Sequence, residues 1–300
     1  PVGDAERTRR SREREQLAAQ LRDDLAAKVA ALAESNEWRR FLDFAAAFHT
    51  YSFNNVILIL SQHPTATRVA GFRQWQDRGR QVRKGEKAIR IYGYSRRTIT
   101  STDPDTGQDT EHTLARFPIL SVFAHDQTDP IEGHPGEPEH PCQRLTGNDP
   151  ADLYRRTAAV LVARGWSVER DPISGEANGY TTLDGSRRIV IDARLSPAHT
   201  AKTLLHEAAH AVLHTGPTSA GPDNATTVGH RGVCETEAES VAYVLAALHG
   251  LDTSDYSVGY IAGWSGADPD LIAATATRVL DTVRDLAAAL DPDTDTEQPQ

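Results

Sequence analysis

The sequence predicts an α+β protein built from two domains. Three observations indicate this: the charge is unevenly distributed, a stretch rich in Pro and Gly divides the chain, and strand-like and helix-like patterns occur on both sides of it. Residues 1–100 carry 19 Lys and Arg against 11 Asp and Glu, whereas the remaining 200 carry 13 against 31, within a net charge of −10. Such an asymmetry is expected when two domains with different partners are joined.

The N-terminal half is predicted to begin with helices. Residues 1–34 form a charged arm that passes into a helix, and residues 38–48 repeat apolar side chains at helical spacing. The apolar run 56–60 fits either a buried helix or a strand, because its length does not distinguish the two.

A β-rich unit is predicted after these helices. Alternating or continuous apolar patterns bounded by turn residues predict strands over residues 68–75, 87–94 and 117–123, the last of them buried. The Asp-, Pro- and Gly-containing residues 102–110 predict an exposed hairpin tip or loop. Together, residues 35–128 are expected to form the first domain.

A linker is expected between the domains. Residues 129–149 are rich in Pro, Gly, Glu and His, a composition typical of linkers. The second domain is expected over residues 150–290 as a small sheet followed by helices, and the acidic tail 291–300 is expected to be disordered. The predicted elements of this domain are a helix at 151–164, a strand at 166–170, a hairpin at 179–192, a helix beginning at Ser196-Pro197, and helices at 234–245 and 269–290.

The most specific pattern in the chain is His206-Glu207-Ala208-Ala209-His210. Two histidines four residues apart on a helix lie about 40° apart around its axis, so both rings can reach one metal ion. A glutamate directly after the first histidine can act as general base on a metal-bound water, and zinc lowers the pKa of such a water to about 7. Ser196 and Pro197 supply an N-cap and a first-turn proline for this helix. The sequence therefore predicts a zinc site with His206 and His210 as ligands and Glu207 as the catalytic residue.

A third protein ligand is expected, because catalytic zinc sites usually take three and keep one position for water. The arrangement that uses a third histidine and a methionine turn is excluded, since Leu213 and Gly216 occupy its glycine and histidine positions and the chain contains no Met. The other common arrangement takes a glutamate from a second helix, here the one predicted at 234–245.

Three glutamates on this second helix compete for the ligand role. Glu235 and Glu239 lie one turn apart on one face, so Glu235 is predicted as the third ligand and Glu239 as the acceptor that orients a zinc-bound histidine. Glu237 remains an alternative ligand. His214 continues the face of the two histidines, but it lies about 12 Å along the helix axis from His206, too far to share one ion.

The densest basic stretch indicates a polyanionic partner. Residues 78–97 contain eight Lys and Arg and one acidic residue, Glu86. Nucleic acid is the obvious polyanion, although composition alone fits a solvated basic face equally well.

No feature of the sequence predicts a membrane protein. No apolar run approaches the length needed to span a bilayer, and the first residues contain no apolar signal segment. The two cysteines, Cys142 and Cys234, form no metal-binding or disulfide pattern. A cytoplasmic protein without a membrane partner is therefore expected.

Several short motifs occur in a specific order along the chain. In the N-terminal half they are Tyr51-Ser52-Phe53-Asn54-Asn55, Gln62-His63-Pro64, Gly71-Phe72-Arg73-Gln74-Trp75, Gly79-Arg80, Lys84-Gly85-Glu86-Lys87, Val122-Phe123 and Asp126-Gln127-Thr128. In the C-terminal half they are His206 to His210, Glu235 to Tyr243 and Asp255-Tyr256-Ser257. With these motifs, over about residues 35–290, the chain resembles the ArdC-type antirestriction proteins, which join an N-terminal single-stranded-DNA-binding domain to a zincin-like metallopeptidase domain.

The resemblance implies that the first domain holds single-stranded DNA and that the second carries a zinc peptidase site. The C-terminal half also resembles the ImmA/IrrE peptidases, whose Glu-x-x-Ala pattern aligns with Glu235 to Ala238 and favours Glu235 over Glu237. In the first domain, aromatic rings would stack on bases and basic side chains would follow phosphates, although only one or two rings should touch bases, because an aromatic in a β-rich unit is usually core. The predicted DNA contacts are Tyr51, Phe72, Arg73, Trp75, Arg80, Arg83, Lys84 and Lys87.

These predictions favour a single-stranded-DNA-binding zinc metallopeptidase of antirestriction type that cleaves a protein substrate. Two alternatives stay open: a non-catalytic protein that binds and protects single-stranded DNA with a structural zinc, and an ImmA-like peptidase that cleaves a repressor. A nuclease is less favoured, because two-metal sites need several carboxylates around hard cations.

Overall fold

The structure is a computed structural model that describes residues 4–102, 109–134, 150–175, 177–182, 184–215, 228–251 and 268–291. They form an α+β fold, as predicted, in two compact units. One unit contains the described residues up to 26 and residues 54–134, and the other contains residues 27–53 together with the described residues from 150 onward.

Helices open the chain, in the order α1 (Asp4–Ala31), α2 (Ser35–Phe48) and α3 (Phe53–Gln62). Helix α1 begins within the charged arm, earlier than the apolar spacing predicted. Helix α3 resolves the ambiguous run 56–60, whose side chains from Val56 to Ile59 are all buried. Helix α2 packs within the second unit, where Trp38 Nε1 donates a hydrogen bond of 3.0 Å to Ser240 Oγ. The first domain predicted from the sequence, residues 35–128, includes this helix.

Short strands, one short α-helix and a 3-10 turn at His125–Gln127 complete the described part of the first unit. The strands and the α-helix are β1 (Val69–Gly71), α4 (Phe72–Asp77), β2 (Arg80–Val82), β3 (Ile89–Tyr92), β4 (Ser95–Thr102), β5 (Asp109–Arg116), β6 (Ile119–Ala124) and β7 (Thr128–Pro130). Strands β1, β6 and β3 form an antiparallel sheet in that order, and β2 with β7 and β4 with β5 form two further antiparallel pairs.

Two strand predictions in this unit are corrected. The strand predicted at 68–75 ends at Gly71, because the Gln74 side chain accepts a 2.8 Å hydrogen bond from the Gly71 backbone N–H and caps helix α4. The buried strand predicted at 117–123 begins at Ile119, and Phe117 before it is 65% exposed. Of the predicted hairpin tip, residues 103–108 lie outside the described residues, as do residues 135–149 of the predicted linker and residues 292–300 of the predicted tail.

The second unit places helices around a three-stranded sheet. After α2 its elements are α5 (Pro150–Ala163), β8 (Ser167–Asp171), β9 (Gly179–Thr181), β10 (Arg188–Asp192), α6 (Pro197–Leu213), α7 (Val228–Leu248) and α8 (Pro269–Leu290). The strand order is β8-β10-β9, with β10 parallel to β8 and antiparallel to β9. None of the helices in the described part of the chain has both the length and the apolar character that a membrane crossing requires.

Helix α6 is fixed by its start and by its apolar face. Ser196 Oγ accepts a 3.4 Å hydrogen bond from the His199 backbone N–H, and Pro197 occupies the first turn. Leu204 and Leu205 are fully buried, and each such leucine stabilises the fold by roughly 1.5–3 kcal/mol. The packing of α6 against β9, α5 and α7 therefore determines which of its remaining faces carries polar groups.

Asp192, at the end of β10, makes the stability of this unit depend on pH. Its carboxylate accepts hydrogen bonds from the Arg194 guanidinium, at 3.0 Å from Nε, and from the Arg194 backbone N–H, which together lower its pKa from 3.8 to about 2. Since the folded-state pKa is depressed, the stabilisation is complete above pH 3.8 and is lost as the pH falls through about 2.

We expect Asp192→Asn to lower the Tm at neutral pH and the difference from wild type to shrink between pH 4 and pH 2, measured by circular dichroism.

A matched Asp24→Asn variant changes an exposed carboxylate on α1 and should keep the wild-type Tm at every pH. A Tm deficit of the Asp192→Asn variant that stayed constant down to pH 2 would contradict this role of Asp192.

Candidate functional site

Helix α6 brings two imidazole rings together. His206 and His210 are one turn apart and partly buried, with ring centroids 4.7 Å apart and ring planes at 73°. Their Nε2 atoms lie 3.0 Å from each other. The two nitrogens therefore point at one locus, as the four-residue spacing predicted.

Helix α7 adds a carboxylate to this locus. Glu235 Oε2 lies 3.5 Å from His206 Nε2 and 3.7 Å from His210 Nε2. Tetrahedral ligands with bonds near 2.0–2.2 Å are about 3.4 Å from one another. The three separations scatter around that value, so His206, His210 and Glu235 fit a single metal ion, and their ligand atoms all lie within 4.8 Å of one another.

The electrostatics of the cluster favour a cation. Burial lowers the pKa of His206, but nearby carboxylates, above all that of Glu235, outweigh it, so that this pKa lies above its ordinary value. The interactions with His206 and, next, with His210 hold the pKa of Glu235 well below its usual range. The site thus keeps a charged carboxylate beside two imidazoles near neutral pH.

Glu207 is buried on α6 and is oriented by strand β9. Thr181 Oγ1 lies 2.7 Å from Glu207 Oε2, to which it can donate, and 3.1 Å from the Glu207 backbone carbonyl oxygen. Sequence reasoning missed Thr181. It lies inside the predicted hairpin, but nothing in its local pattern indicates a contact with a residue 26 positions later.

The other two glutamates of α7 have different surroundings. Glu239 Oε1 lies 3.5 Å from His206 Nδ1, a buried nitrogen without a hydrogen-bond partner among the described residues. Glu237 is 2% exposed, and both of its oxygens are engaged: Oε1 accepts from Arg278, and Oε2 lies 3.0 Å from His214 Nε2. Glu235, and not Glu237, is the glutamate whose carboxylate stands beside both histidines.

The predicted DNA contacts of the first unit separate into core and surface. Trp75 is completely buried, and its Nε1 donates a 2.8 Å hydrogen bond to the Phe123 carbonyl, so it cannot offer a stacking face. Phe72, on the same short helix, is 43% exposed. Tyr51 is only partly exposed and belongs to the second unit, unlike the other predicted contacts.

The predicted cations differ in what already engages them. Arg80 donates to the Thr128 hydroxyl and carbonyl at 2.7 and 3.0 Å. Arg83 is exposed but pairs with Glu86 at 2.9 Å and with Asp129 at 3.4 Å. The remaining predicted cations share exposed side chains; they are Arg73, Lys84 and Lys87.

Two exposed features of the first unit complement these cations. An open cavity of about 630 Å³ is lined by Phe72, Phe123, Lys84 and the Gly85 turn, among others. Tyr94 and Phe117 form an exposed pair with ring centroids 5.7 Å apart, and the Arg96 guanidinium lies 5.6 Å from the Tyr94 ring centre. Sequence reasoning missed Phe117, because the apolar run after it indicated a buried strand.

Two protein families match parts of the chain. Residues 11–124 match the N-terminal domain of anti-restriction factor ArdC, and residues 164–249 match the IrrE N-terminal-like domain, a peptidase family. The second match contains both histidines of α6 and Glu235.

Individual proteins are similar to the chain over most of its length. An uncharacterized protein of Bacillus anthracis is 26% identical over 76% of this chain, which spans only 43% of that relative's length. The crystal structure of the antirestriction ArdC protein from the R388 plasmid in its Mn(II)-bound form is 22% identical, with a TM-score of 0.50 over 81% of this chain and 86% of the other. The metal-free structure of the same protein is 21% identical, with a TM-score of 0.45 over 81% of this chain and 86% of the other. The Mn(II)-bound match indicates a common fold.

The placement of the two aromatic residues on α4 predicts that their truncation lowers the free energy of unfolding by very different amounts. We expect Trp75→Ala to lower the free energy of unfolding by about 3–5 kcal/mol, because it leaves a cavity and removes the hydrogen bond from Nε1 to the Phe123 carbonyl. Phe72→Ala should lower it by less than about 1 kcal/mol, because the ring is largely exposed. Urea denaturation followed by circular dichroism measures both values, and equal losses would show that the two rings are similarly packed.

Proposed function

We propose that this chain, an ArdC-type protein by its two domains, is a single-stranded-DNA-binding zinc metallopeptidase that cleaves a protein substrate. The observation that carries the proposal is the meeting of His206 Nε2, His210 Nε2 and Glu235 Oε2 beside the buried Glu207. The peptidase-family match over residues 164–249 supports the same reaction class.

The ligand set would be His206, His210 and Glu235. A bound zinc ion would supply a water of lowered pKa and an electrophile for a substrate carbonyl. Two neutral imidazoles and one carboxylate form the donor set that catalytic zinc commonly takes. Glu239 Oε1, 3.5 Å from His206 Nδ1, would accept a hydrogen bond from the N–H of that nitrogen and so fix the ring orientation.

Glu207 would act as the general base and then as the general acid. A carboxylate has two acceptor oxygens, so the hydrogen bond from Thr181 to Oε2 fixes the orientation of the group while the other oxygen can receive a proton. The same carboxyl group later delivers that proton to the leaving amine. Thr181 is therefore a positioning residue for Glu207.

A peptide substrate fits the strand beside Glu207. Strand β9 lies at one end of the sheet order β8-β10-β9, and it carries Thr181. The outer edge of a strand binds an extended peptide through backbone hydrogen bonds. A peptide added to β9 would run past the Glu207 carboxylate.

Single-stranded DNA would bind the first unit through exposed rings and cations. Phe72 beside the open cavity, and the pair of Tyr94 and Phe117 with Arg96, offer stacking faces that accept any base. Lys84 and Arg73 supply charge for the phosphates. The surplus of cations over residues 1–100 supports a polyanionic ligand.

We expect Glu207→Gln to reduce cleavage at least about 100-fold while zinc binding is retained. Glutamine can still accept the hydrogen bond from Thr181 but cannot take up a proton. The measurements are kcat on a quenched fluorescent peptide library and zinc content of the full chain by mass spectrometry.

Glu132→Gln is the matched control, because it makes the same exchange of a carboxylate for a carboxamide at an exposed residue outside the cluster. This variant should cleave at the wild-type rate. Cleavage that persisted in Glu207→Gln would remove Glu207 from the reaction, and zinc-loaded wild type that cleaved no library member would contradict the peptidase proposal.

The DNA proposal separates stacking from charge. Phe72→Ala should weaken oligo(dT) binding about 5- to 150-fold without changing the salt dependence, since stacking on one base contributes about 1–3 kcal/mol. Lys84→Ala should reduce the slope of log affinity against log salt by about 0.7. Fluorescence anisotropy at several salt concentrations measures both.

Gln76→Ala changes an exposed residue of the same helix as Phe72 and should leave affinity and slope unchanged. Wild-type binding by both test variants would place the DNA site elsewhere in the protein.

A further inference from the structure

Three side chains lead away from His210 on the side opposite the ligand cluster: His214, Glu237 and Arg278. We infer that they position His210 so that its Nε2 lone pair is presented to the locus shared with His206 and Glu235. This role rests on the metal centre proposed above. None of the three is assigned a contact with substrate.

Each of the three side chains contacts the next, so that an unbroken series of polar contacts leads from His210 to Arg278. His214 caps α6 one turn after His210, and its backbone N–H donates a 2.9 Å hydrogen bond to the His210 carbonyl. The Nδ1 atoms of the two rings lie 2.9 Å apart, with ring centroids separated by 5.0 Å. His214 Nε2 then lies 3.0 Å from Glu237 Oε2.

The chemistry of these groups sets the direction of each hydrogen bond. A carboxylate can only accept, so His214 Nε2 carries the hydrogen that is donated to Glu237. A neutral imidazole has one N–H, which leaves His214 Nδ1 as an acceptor, and His210 Nδ1 must therefore be the donor between the two rings. His210 Nε2 is then left with its lone pair, and this is the nitrogen that faces His206 at 3.0 Å.

Glu237 can hold this direction because its charge is compensated. The side chain is buried, and a buried carboxylate without a partner is strongly destabilising. Arg278 of α8 donates to Oε1 through Nη2 and through Nε, the latter at 2.8 Å. With Oε1 occupied by Arg278, Oε2 is the oxygen that faces His214.

This arrangement gives two residues of α6 and α7 a role other than ligation. His214 lies on the face of His206 and His210, and Glu237 is a glutamate of the ligand-bearing helix, yet His214 would act through His210 and Glu237 through His214. Partners that orient a metal-bound histidine typically change metal affinity by about 10- to 100-fold when they are removed.

The test uses the full chain with zinc and Co(II) as probes. We expect His214→Phe, which keeps an aromatic ring but lacks the acceptor, to raise the zinc Kd about 10- to 100-fold in competition with a chelating dye. His214→Asn places a carbonyl oxygen near the position of Nδ1 and should recover most of that loss. His199→Phe, an exposed histidine of the same helix, is the control and should bind zinc like wild type.

Glu237→Gln tests the other end of the series of hydrogen bonds from His210 to Arg278, with almost no change in side-chain shape. Arg278 would hold the amide oxygen by hydrogen bonds, so the amide N–H₂ would face His214 and donate to its Nε2. His214 Nδ1 would then carry the hydrogen and donate it to His210 Nδ1. As a result, His210 Nε2 would carry a hydrogen in place of its lone pair. We expect weaker zinc binding and a changed visible absorption spectrum of the Co(II)-loaded protein.

Several outcomes would overturn the positioning role. They are wild-type zinc affinity in His214→Phe, equal losses in His214→Phe and His214→Asn, or unchanged zinc affinity and Co(II) spectrum in Glu237→Gln. If the metal-free His214→Phe melts below the His199→Phe control, Glu237→Gln alone decides. Wild type that binds neither zinc nor Co(II) would instead refute the metal centre itself, which separates the two failures.

Discussion

The packing of helix α6 against helix α7 is the contact on which the candidate site depends. The two histidines of α6 meet because of helical spacing alone, but the carboxylate of Glu235 reaches them only because α7 lies alongside. Both helices bury small and aliphatic side chains, including Ala208 and Ala209 on α6 and Ala238 and Ala242 on α7. Protein interiors are close-packed and transmit strain, so a larger residue between the two helices would shift one against the other and separate the donors that now lie within 4.8 Å.

The charges around this contact are divided between two tasks. Glu235 and Glu239 stand beside His206 and create a field that attracts a cation. Glu237 lies between these two glutamates in the sequence, but its charge is compensated by Arg278 from α8. One helix thus carries three carboxylates with different surroundings, and the difference comes from which neighbour each one meets.

The first unit shows a similar division between neighbouring aromatics. Helix α4 buries Trp75 against Val82 and Phe123, while Phe72, three residues earlier, remains exposed beside the open cavity. Arg83 is held by exposed ion pairs with Glu86 and Asp129. Such pairs contribute only about 0–1 kcal/mol each, so a phosphate could replace them at little cost.

The sequence by itself determined the features that depend on a few neighbouring residues. The α+β class, the helix capped by Ser196, and the common direction of His206 and His210 all follow from local spacing and capping. Tertiary structure decided the features that depend on distant partners. It turned the run 56–60 into a helix, ended the strand predicted at 68–75 at Gly71, and exposed Phe117. It also brought Thr181 to Glu207 and Arg278 to Glu237, contacts 26 and 41 residues apart along the chain. A local pattern encodes which way a side chain points from its own backbone, but the group it meets there depends on how separate elements pack.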